Sequence, residues 1–299
     1  MTNFIIIAVS FLAGMAFKRF RIFPVTTPDV LNQYIIYIPL PAITLYYIQK
    51  LELDAGMLYP VVTPWLVFVI AFMLFYALYR MQLLEKKTAG ALTLLCGLGN
   101  TSFLGFPMVE MFYGKEGLQT AVLCDQPGSF TVLSTIGIAT AVFYSSGKTG
   151  FGAVFKRMFT FPPFVFFVAA LFLRGVAFPG WLDISLLQLG GTLTPAALVS
   201  VGFQLNFSHI SSNIRTILLG LVYKLAAAPA LFYLLYIVVQ NGDSQVIKIT
   251  ILEAAMAPMI TAGVIASKYD LKPSLVSGLL GLGIPLSFVT VYIWYLLLS

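Results

Sequence analysis

Charge is what this chain has least of. Of 299 residues, 17 are Lys or Arg and 11 are Asp or Glu, 9% in all, and there are one histidine and two cysteines. A soluble domain carries roughly 25% charged residues, so a water-soluble globule is excluded. Cys96 and Cys124 each stand inside an apolar run with no CxxC, histidine or further cysteine beside them, which excludes a disulfide framework and a zinc site. The histidine, His209, lies in a polar connector beside Ser208 and Ser211 and reads as a solvated loop side chain. GxSxG, HExxH and P-loop patterns are missing, and the GxG pairs Gly97/Gly99 and Gly281/Gly283 sit in apolar runs with no strand before them. An intramembrane enzyme needs a nucleophile with its base, or metal ligands, in its spans; neither set is there. The net charge of +6 is scattered between apolar runs rather than gathered on one polar face, which argues against nucleic acid.

What the chain does have is apolar surface: 60% hydrophobic residues and a mean hydropathy of +0.95. That is more than a single soluble core absorbs, so lipid must take the remainder. Windows of about 20 apolar residues, separated by charge and turn signals, give ten spans at 3–20, 30–49, 58–79, 89–112, 118–144, 161–174, 184–206, 214–239, 246–266 and 274–298. Met1 to Asn3 carry no positive charge and Lys18, Arg19 and Arg21 follow the first apolar run, which favours a retained first span over a signal peptide. With the N-terminus outside, the inside connectors hold Lys18, Arg19, Arg21, Arg80, Lys86, Lys87, Lys148, Lys156, Arg157, Arg215, Lys268 and Lys272. The outside connectors hold only Lys50, Lys115, Arg174 and Lys248. This bias predicts both ends outside. Every connector is short, so function must lie within the membrane.

The halves show an internal echo. PAITLYYIQKLEL from Pro41 aligns without gaps on PAALVSVGFQLNF from Pro195, an offset of 154 residues. Span four, LLCGLGNTSFLGFPMVEMF, contains Gly97, Gly99, Gly105 and Pro107 around the polar triplet Asn100, Thr101 and Ser102. Proline removes an amide donor and glycine lowers helix propensity, so a break is predicted there. The same offset carries residues 97–107 onto ILEAAMAPMIT in span nine, with Glu253, Pro258 and Thr261. Paired interrupted segments at corresponding positions are the sequence pointer to a transporter's substrate site, and half-helix N-termini suit an anion. The bland alternative is a pair of prolines that merely kink packed helices.

Four ionisable residues fall inside the predicted spans: Glu110, Asp125, Lys224 and Glu253. A charge at the bilayer centre costs about 2.5–3.5 kcal/mol on the insertion scale, so each needs a partner or a cavity. Glu110 lies near the outer end of span four and reaches the interface. Asp125, followed by Gln126, is a candidate proton-titrating group or polar cavity wall. Lys224 either neutralises Asp125 or Glu253 or attracts a substrate carboxylate, and Glu253 adjoins the second break. Gly281, Gly283 and Pro285 suggest a further kink in span ten.

Asn100-Thr101-Ser102-Phe103-Leu104-Gly105-Phe106-Pro107, followed by Tyr113-Gly114, closely resembles the fourth-helix motif of the auxin efflux carrier family, which includes the plant PIN exporters and bacterial dicarboxylate permeases. Pro39 and Pro41 in span two, Gly202 before Leu205 in span seven, and Ala254-Ala255 running on to Ala266, Tyr269 and Pro273 are similar as well. The resemblance implies an all-α membrane protein of ten helices, arranged as two inverted five-helix repeats at 1–147 and 161–299 around a cytoplasmic connector at 148–160. Broken helices four and nine would cross at Pro107 and Pro258, as in sodium/proton antiporter-like and bile-acid-symporter-like folds. A scaffold part at about 1–50 and 161–207 and a transport part at about 58–145 and 214–299 would move by an elevator-type mechanism. The family's carboxylate-binding asparagine corresponds to Asn100. The plant Pro-Gln pair of helix nine falls one residue out of step on Ala257-Pro258, and span three lacks the acidic residue and lysine of plant members.

The expected function is secondary active or facilitative transport of a small organic anion, a carboxylate, across a prokaryotic plasma membrane. Asn100, Thr101, Ser102, Gly105, Ala257, Pro258 and Thr261 would hold it. Pro41, Tyr46, Pro195 and Ser200 would form the scaffold-side wall, and Asp125, Gln126, Lys224 and Glu253 would balance charge. The expected partners are the anion, a proton as coupling ion with sodium as the rival, the bilayer, and a second copy joined through the scaffold part; no cofactor is expected. The rivals are a sodium-coupled symporter of the bile-acid type and a membrane sensor that binds the ligand without moving it.

Overall fold

The computed structural model describes residues 2–51, 54–145, 162–207 and 210–299. His209 and the connector positions Lys148, Lys156 and Arg157 lie outside them. The described residues form helices joined by short turns and irregular stretches, with one isolated two-residue β-bridge as the only extended pairing among them. Helix is what hydrocarbon demands, because it satisfies every backbone group within its own segment. Among the described residues, five helices are long and apolar enough to cross a membrane: Ala55–Arg80, Lys115–Tyr144, Gly180–Gln204, Asn213–Val239 and Pro273–Leu298. Large apolar side chains such as Val9, Leu12, Met73, Val239 and Val264 point outward, as lipid-facing residues must. The chain divides into two compact units.

The first unit comprises residues 1–54, 102–122 and 159–205. It contains α1 (Thr2–Arg19), α2 (Thr27–Tyr37), α3 (Pro39–Ile48), α6 (Phe106–Tyr113), α9 (Pro162–Phe172), α10 (Gly180–Gly191) and α11 (Leu193–Gln204). Span two is broken where the sequence reading had it continuous: Ile38, at φ −122° and ψ −74°, separates α2 from α3, and Pro39 starts the new helix. Span seven bends at Thr192, so Pro39 and Leu193 start their helices 154 positions apart, the offset found in the sequence. Helices α1 and α11 lie backbone to backbone. A Cβ on Gly14 would fall 2.2 Å from the carbonyl oxygen of Val199, and one on Gly202 would fall 2.2 Å from that of Phe11. Two facing glycines permit the approach and any side chain forbids it.

The second unit comprises residues 55–101, 123–158 and 206–299. It is built from α4 (Leu58–Arg80), α5 (Lys86–Gly97), α8 (Ile138–Tyr144), α12 (Ile210–Val222), α13 (Ala228–Tyr233), α14 (Gln245–Ala254), α15 (Ile260–Lys268) and α16 (Pro273–Leu298), while α7 (Leu118–Leu123) carries the chain in from the first unit. Spans five and eight are loosened by π-helical turns at Cys124–Phe130, Leu133–Gly137, Tyr223–Ala227 and Leu234–Val239. Such turns cluster at functional positions in helices. Span ten runs as one helix through Pro285; its glycines serve close approach instead of a break, Gly281 against the Asn206 carbonyl and Gly283 against the Pro258 ring. At one end, connectors are tied by Lys272 to Glu85 (2.9 Å) and by Lys87 to Asp270.

Candidate functional site

Helix α5 stops at Gly97 because Leu98 turns extended, with φ −120° and ψ 127°. The chain then runs through Gly99 and Asn100 before a π-helical turn, Thr101–Gly105, leads into α6. Span nine breaks in the same manner: α14 stops at Ala254, and the chain is non-helical until Met259, at φ −70° and ψ 124°, hands over to α15. The two open stretches satisfy each other. Asn100 N donates to Ala257 O at 2.9 Å, Met259 N donates to Leu98 O at 3.1 Å, and Gly99 faces Pro258 in an antiparallel bridge. Backbone groups released from helix in hydrocarbon must find protein partners, and here each break supplies the other's. Proline suits this place, since position 258 needs no N–H for the bridge.

Polar side chains converge on the crossing. Thr101 Oγ1 donates to Asp125 Oδ1 at 2.6 Å, and Gln126 Nε2 donates to Asp125 Oδ2 at 2.8 Å, so both carboxylate oxygens accept hydrogen bonds. The π-helical turn at Cys124 brings Asp125 and Gln126 to bear together. Lys224, 1% exposed, donates to the Ala254 carbonyl at 2.9 Å, so an ammonium caps the C-terminus of α14 where the helix dipole is negative. A Cβ on Gly99 would stand 3.0 Å from that amine, so glycine makes room for the lysine tip. Glu253, 2% exposed, has no hydrogen-bond partner on either carboxyl oxygen, and Asn100 Nδ2 and Gln126 Oε1 are likewise buried without one. A cavity of about 10 Å³ opens among Thr63, Thr101, Ser129, Lys224, Thr250 and Glu253, room for about one water molecule.

A family model described as membrane transport protein matches residues 1–147 and 151–295. This chain belongs to that family, the auxin efflux carriers. The transporter is 24% identical over 302 residues to an uncharacterized transporter of Methanocaldococcus jannaschii, covering 97% of this chain and 96% of the relative. It is 24% identical over 297 residues to an uncharacterized transporter of Methanothermobacter thermautotrophicus, covering 98% and 96%. It is therefore an integral, multi-pass membrane transporter and not an enzyme, and its archaeal relatives fit a prokaryotic plasma membrane.

Within the carrier, Asn100, Thr101, Ala257 and Pro258 meet at the crossing, and Asp125, Gln126, Lys224 and Glu253 belong to the same unit. Thr261 is exposed in the first turn of α15. Ser102, half-buried, and Gly105, buried, lie in the π-helical turn on the first-unit side of the boundary. The crossing runs through Leu98–Asn100 and not through Pro107, which takes the first turn of α6, where a missing N–H costs nothing. Pro41, Tyr46, Pro195 and Ser200 all belong to the first unit. There Ser200 Oγ donates to Asn32 Oδ1 at 2.6 Å, and Lys50 Nζ lies 3.7 Å from the centre of the Tyr46 ring. Glu110 is half-buried and accepts from Thr194 at 3.2 Å. Sequence reasoning missed Thr63, which bonds Tyr236 across 2.9 Å, together with Ser129 and Thr250, because lone hydroxyl residues in apolar spans carry no pattern.

Proposed function

We propose that this transporter carries a small organic anion, a carboxylate of the dicarboxylate or auxin-like kind, by secondary active or facilitative alternating access around the crossing of spans four and nine. One observation carries the reading: Asn100 holds an amide donor, buried and without an acceptor, at the place where two helices break and pair. A buried unpaired donor costs about 1–3 kcal/mol, a cost that a bound carboxylate oxygen removes. The N-terminal N–H groups of α15 add partial positive charge. In this reading Thr101, Ser102, Gly105, Ala257, Pro258 and Thr261 line the anion's path, and Pro258 keeps span nine from closing.

The repeat within the ten-helix reading draws support from helix starts at Pro39 and Leu193 that repeat the sequence offset, and the placing of both ends outside rests on the positive charge of the connectors. The division of the chain into two compact units supports a scaffold part and a moving part in an elevator-type cycle, with Pro41, Tyr46, Pro195 and Ser200 on the scaffold wall and dimerisation through that part. A thermal-shift screen of purified protein against mono- and dicarboxylates and indole acids identifies the anion. Asn100→Ala should remove both the shift and uptake into proteoliposomes while expression stays normal; unchanged uptake would refute the assignment. Uptake measured with sodium replaced by potassium, and then across a pH step, separates a proton-coupled or uncoupled carrier from the sodium symporter.

A further inference from the structure

The geometry points to Glu253 as a proton-binding site that makes the crossing receptive to an anion. The inference rests on the anion reading above and adds its coupling ion and the residue that carries it. Among the described residues of the second unit, the three buried charges are treated differently by their surroundings. Asp125 has donors on both oxygens from Thr101 and Gln126, the environment of an ionised carboxylate. Lys224 has the Ala254 carbonyl at the negative end of α14. Glu253 has neither a donor on either oxygen nor solvent, and it borders the small cavity. A buried carboxyl without donors is accommodated as the neutral acid.

The groups that face Glu253 are Asp125 and Cys124 from the π-helical turn of span five and Lys224 from that of span eight. Cys96 of α5 stands behind Lys224, and Tyr236 lies beyond Cys124. With Glu253 protonated, Asp125 and Lys224 cancel and the crossing is neutral. When the O–H bond breaks and the proton leaves to water, one uncompensated negative charge remains in the cavity wall that Gly99 and Thr101 of the crossing share. Proton and anion therefore bind together, which makes the carrier a proton–anion symporter. Sodium fits less well. The cavity holds about one water, and the carbonyl of Ala254, one of its lining residues, is already taken by the lysine ammonium.

Infrared pH-difference spectroscopy on the full-length protein in lipid vesicles tests the proton directly, without a ligand. The C=O stretch of a protonated carboxyl should be lost on raising the pH, be absent in Glu253→Gln, shift in Glu253→Asp and persist in Asp125→Asn. A band that survives Glu253→Gln, or vanishes in Asp125→Asn alone, overturns the assignment. Glu253→Asp keeps the test open if the glutamine variant does not fold. Benzoate and indole-3-acetate, whose own charge is constant near neutrality, then probe the coupling. Affinity should fall up to about tenfold per pH unit above the titration, with about one proton taken up per anion, and Glu253→Gln should be flat. Anion binding that is lost in Asn100→Ala but does not depend on pH in the wild type sinks the proton inference and leaves the anion site standing. The expected carboxyl band together with anion binding indifferent to Asn100→Ala does the reverse. Loss of the band on adding sodium at fixed pH would replace the proton with sodium.

Discussion

Each unit breaks two helices, and the breaks are not alike. In the first unit the chain pauses for a single residue, Ile38 or Thr192, and resumes helix at once. The freed groups are taken up locally: Ala42 N returns to Ile38 O at 3.1 Å, and Ala196 N to Thr192 O at 3.3 Å. In the second unit the breaks open over several residues, and the two backbones bond across to each other, Asn100 N to Ala257 O and Met259 N to Leu98 O. Around them Asn100 Nδ2 and both oxygens of Glu253 stay buried and unpaired. A kink that satisfies itself bends a helix to fit its neighbours. A break that leaves polar groups unpaired stores recognition for something not yet bound.

Substitutions can sharpen that contrast. The largest effect is expected in the first unit, at Gly202→Ala, because the new Cβ would meet the Phe11 carbonyl and not a side chain that could turn away. Overpacking costs about 1–3 kcal/mol, and two opposed backbones put this case near 3. Thermal unfolding in detergent should fall sharply and anion affinity in the surviving folded fraction should not; an unchanged melting temperature would mean that α1 and α11 are not pressed together. Next comes Thr101→Val in the second unit, similar in shape but lacking the donor to Asp125. A hydrogen bond to a charged group is worth about 1.5–3 kcal/mol, so a loss near 2 is expected, and Asp125→Asn combined with it should add less than the sum of the two single changes.

The sequence reading found the second kind of break more readily than the first. Glycines at 97, 99 and 105 and the prolines at 107 and 258 flag an interruption by backbone chemistry alone, and a polar triplet in an apolar run marks it as unusual. The break at Ile38 was missed because Pro39 at a helix start looks the same in sequence as a proline in a gentle bend. Lys224 is recognisable in the sequence as a buried charge, and the carboxylates Asp125 and Glu253 are the partners the sequence offers it. The structure gives the Ala254 carbonyl, which exists as an acceptor only because α14 ends there. The sequence points to Pro107 for the crossing, because nothing in it marks Leu98 as the residue that leaves the helix first. Tertiary pairing, not local propensity, decides where a broken helix opens.

Asn100→Ala separates stability from recognition. Nδ2 has no protein acceptor to lose, so the melting temperature of the unliganded protein should hold or rise slightly. Anion affinity should fall by about tenfold or more, the equivalent of about 1.4 kcal/mol or above for one hydrogen bond to a carboxylate. A fall in stability with affinity intact would make Asn100 a packing residue and erase the distinction between the two kinds of break.

The smallest effect tests whether exposed charge matters at all. Glu85 pairs with Lys272 across two connectors, and the hydrogen bond from that ammonium, followed by its charge, holds the Glu85 carboxyl below its ordinary value of 4.5. A carboxyl that is more acidic folded than unfolded contributes stability above its unfolded value and loses it as pH falls through the folded one. Glu85→Gln should therefore lower the melting temperature slightly near neutrality, and the difference should shrink in high salt because exposed pairs are screened. As pH falls through the folded-state value the two proteins should converge, since the wild-type carboxyl is then protonated as well. A difference that persisted in acid would trace the loss to the glutamine's packing and not to charge. The tie between connectors would then belong with the first kind of contact, satisfied locally and indifferent to what the crossing binds.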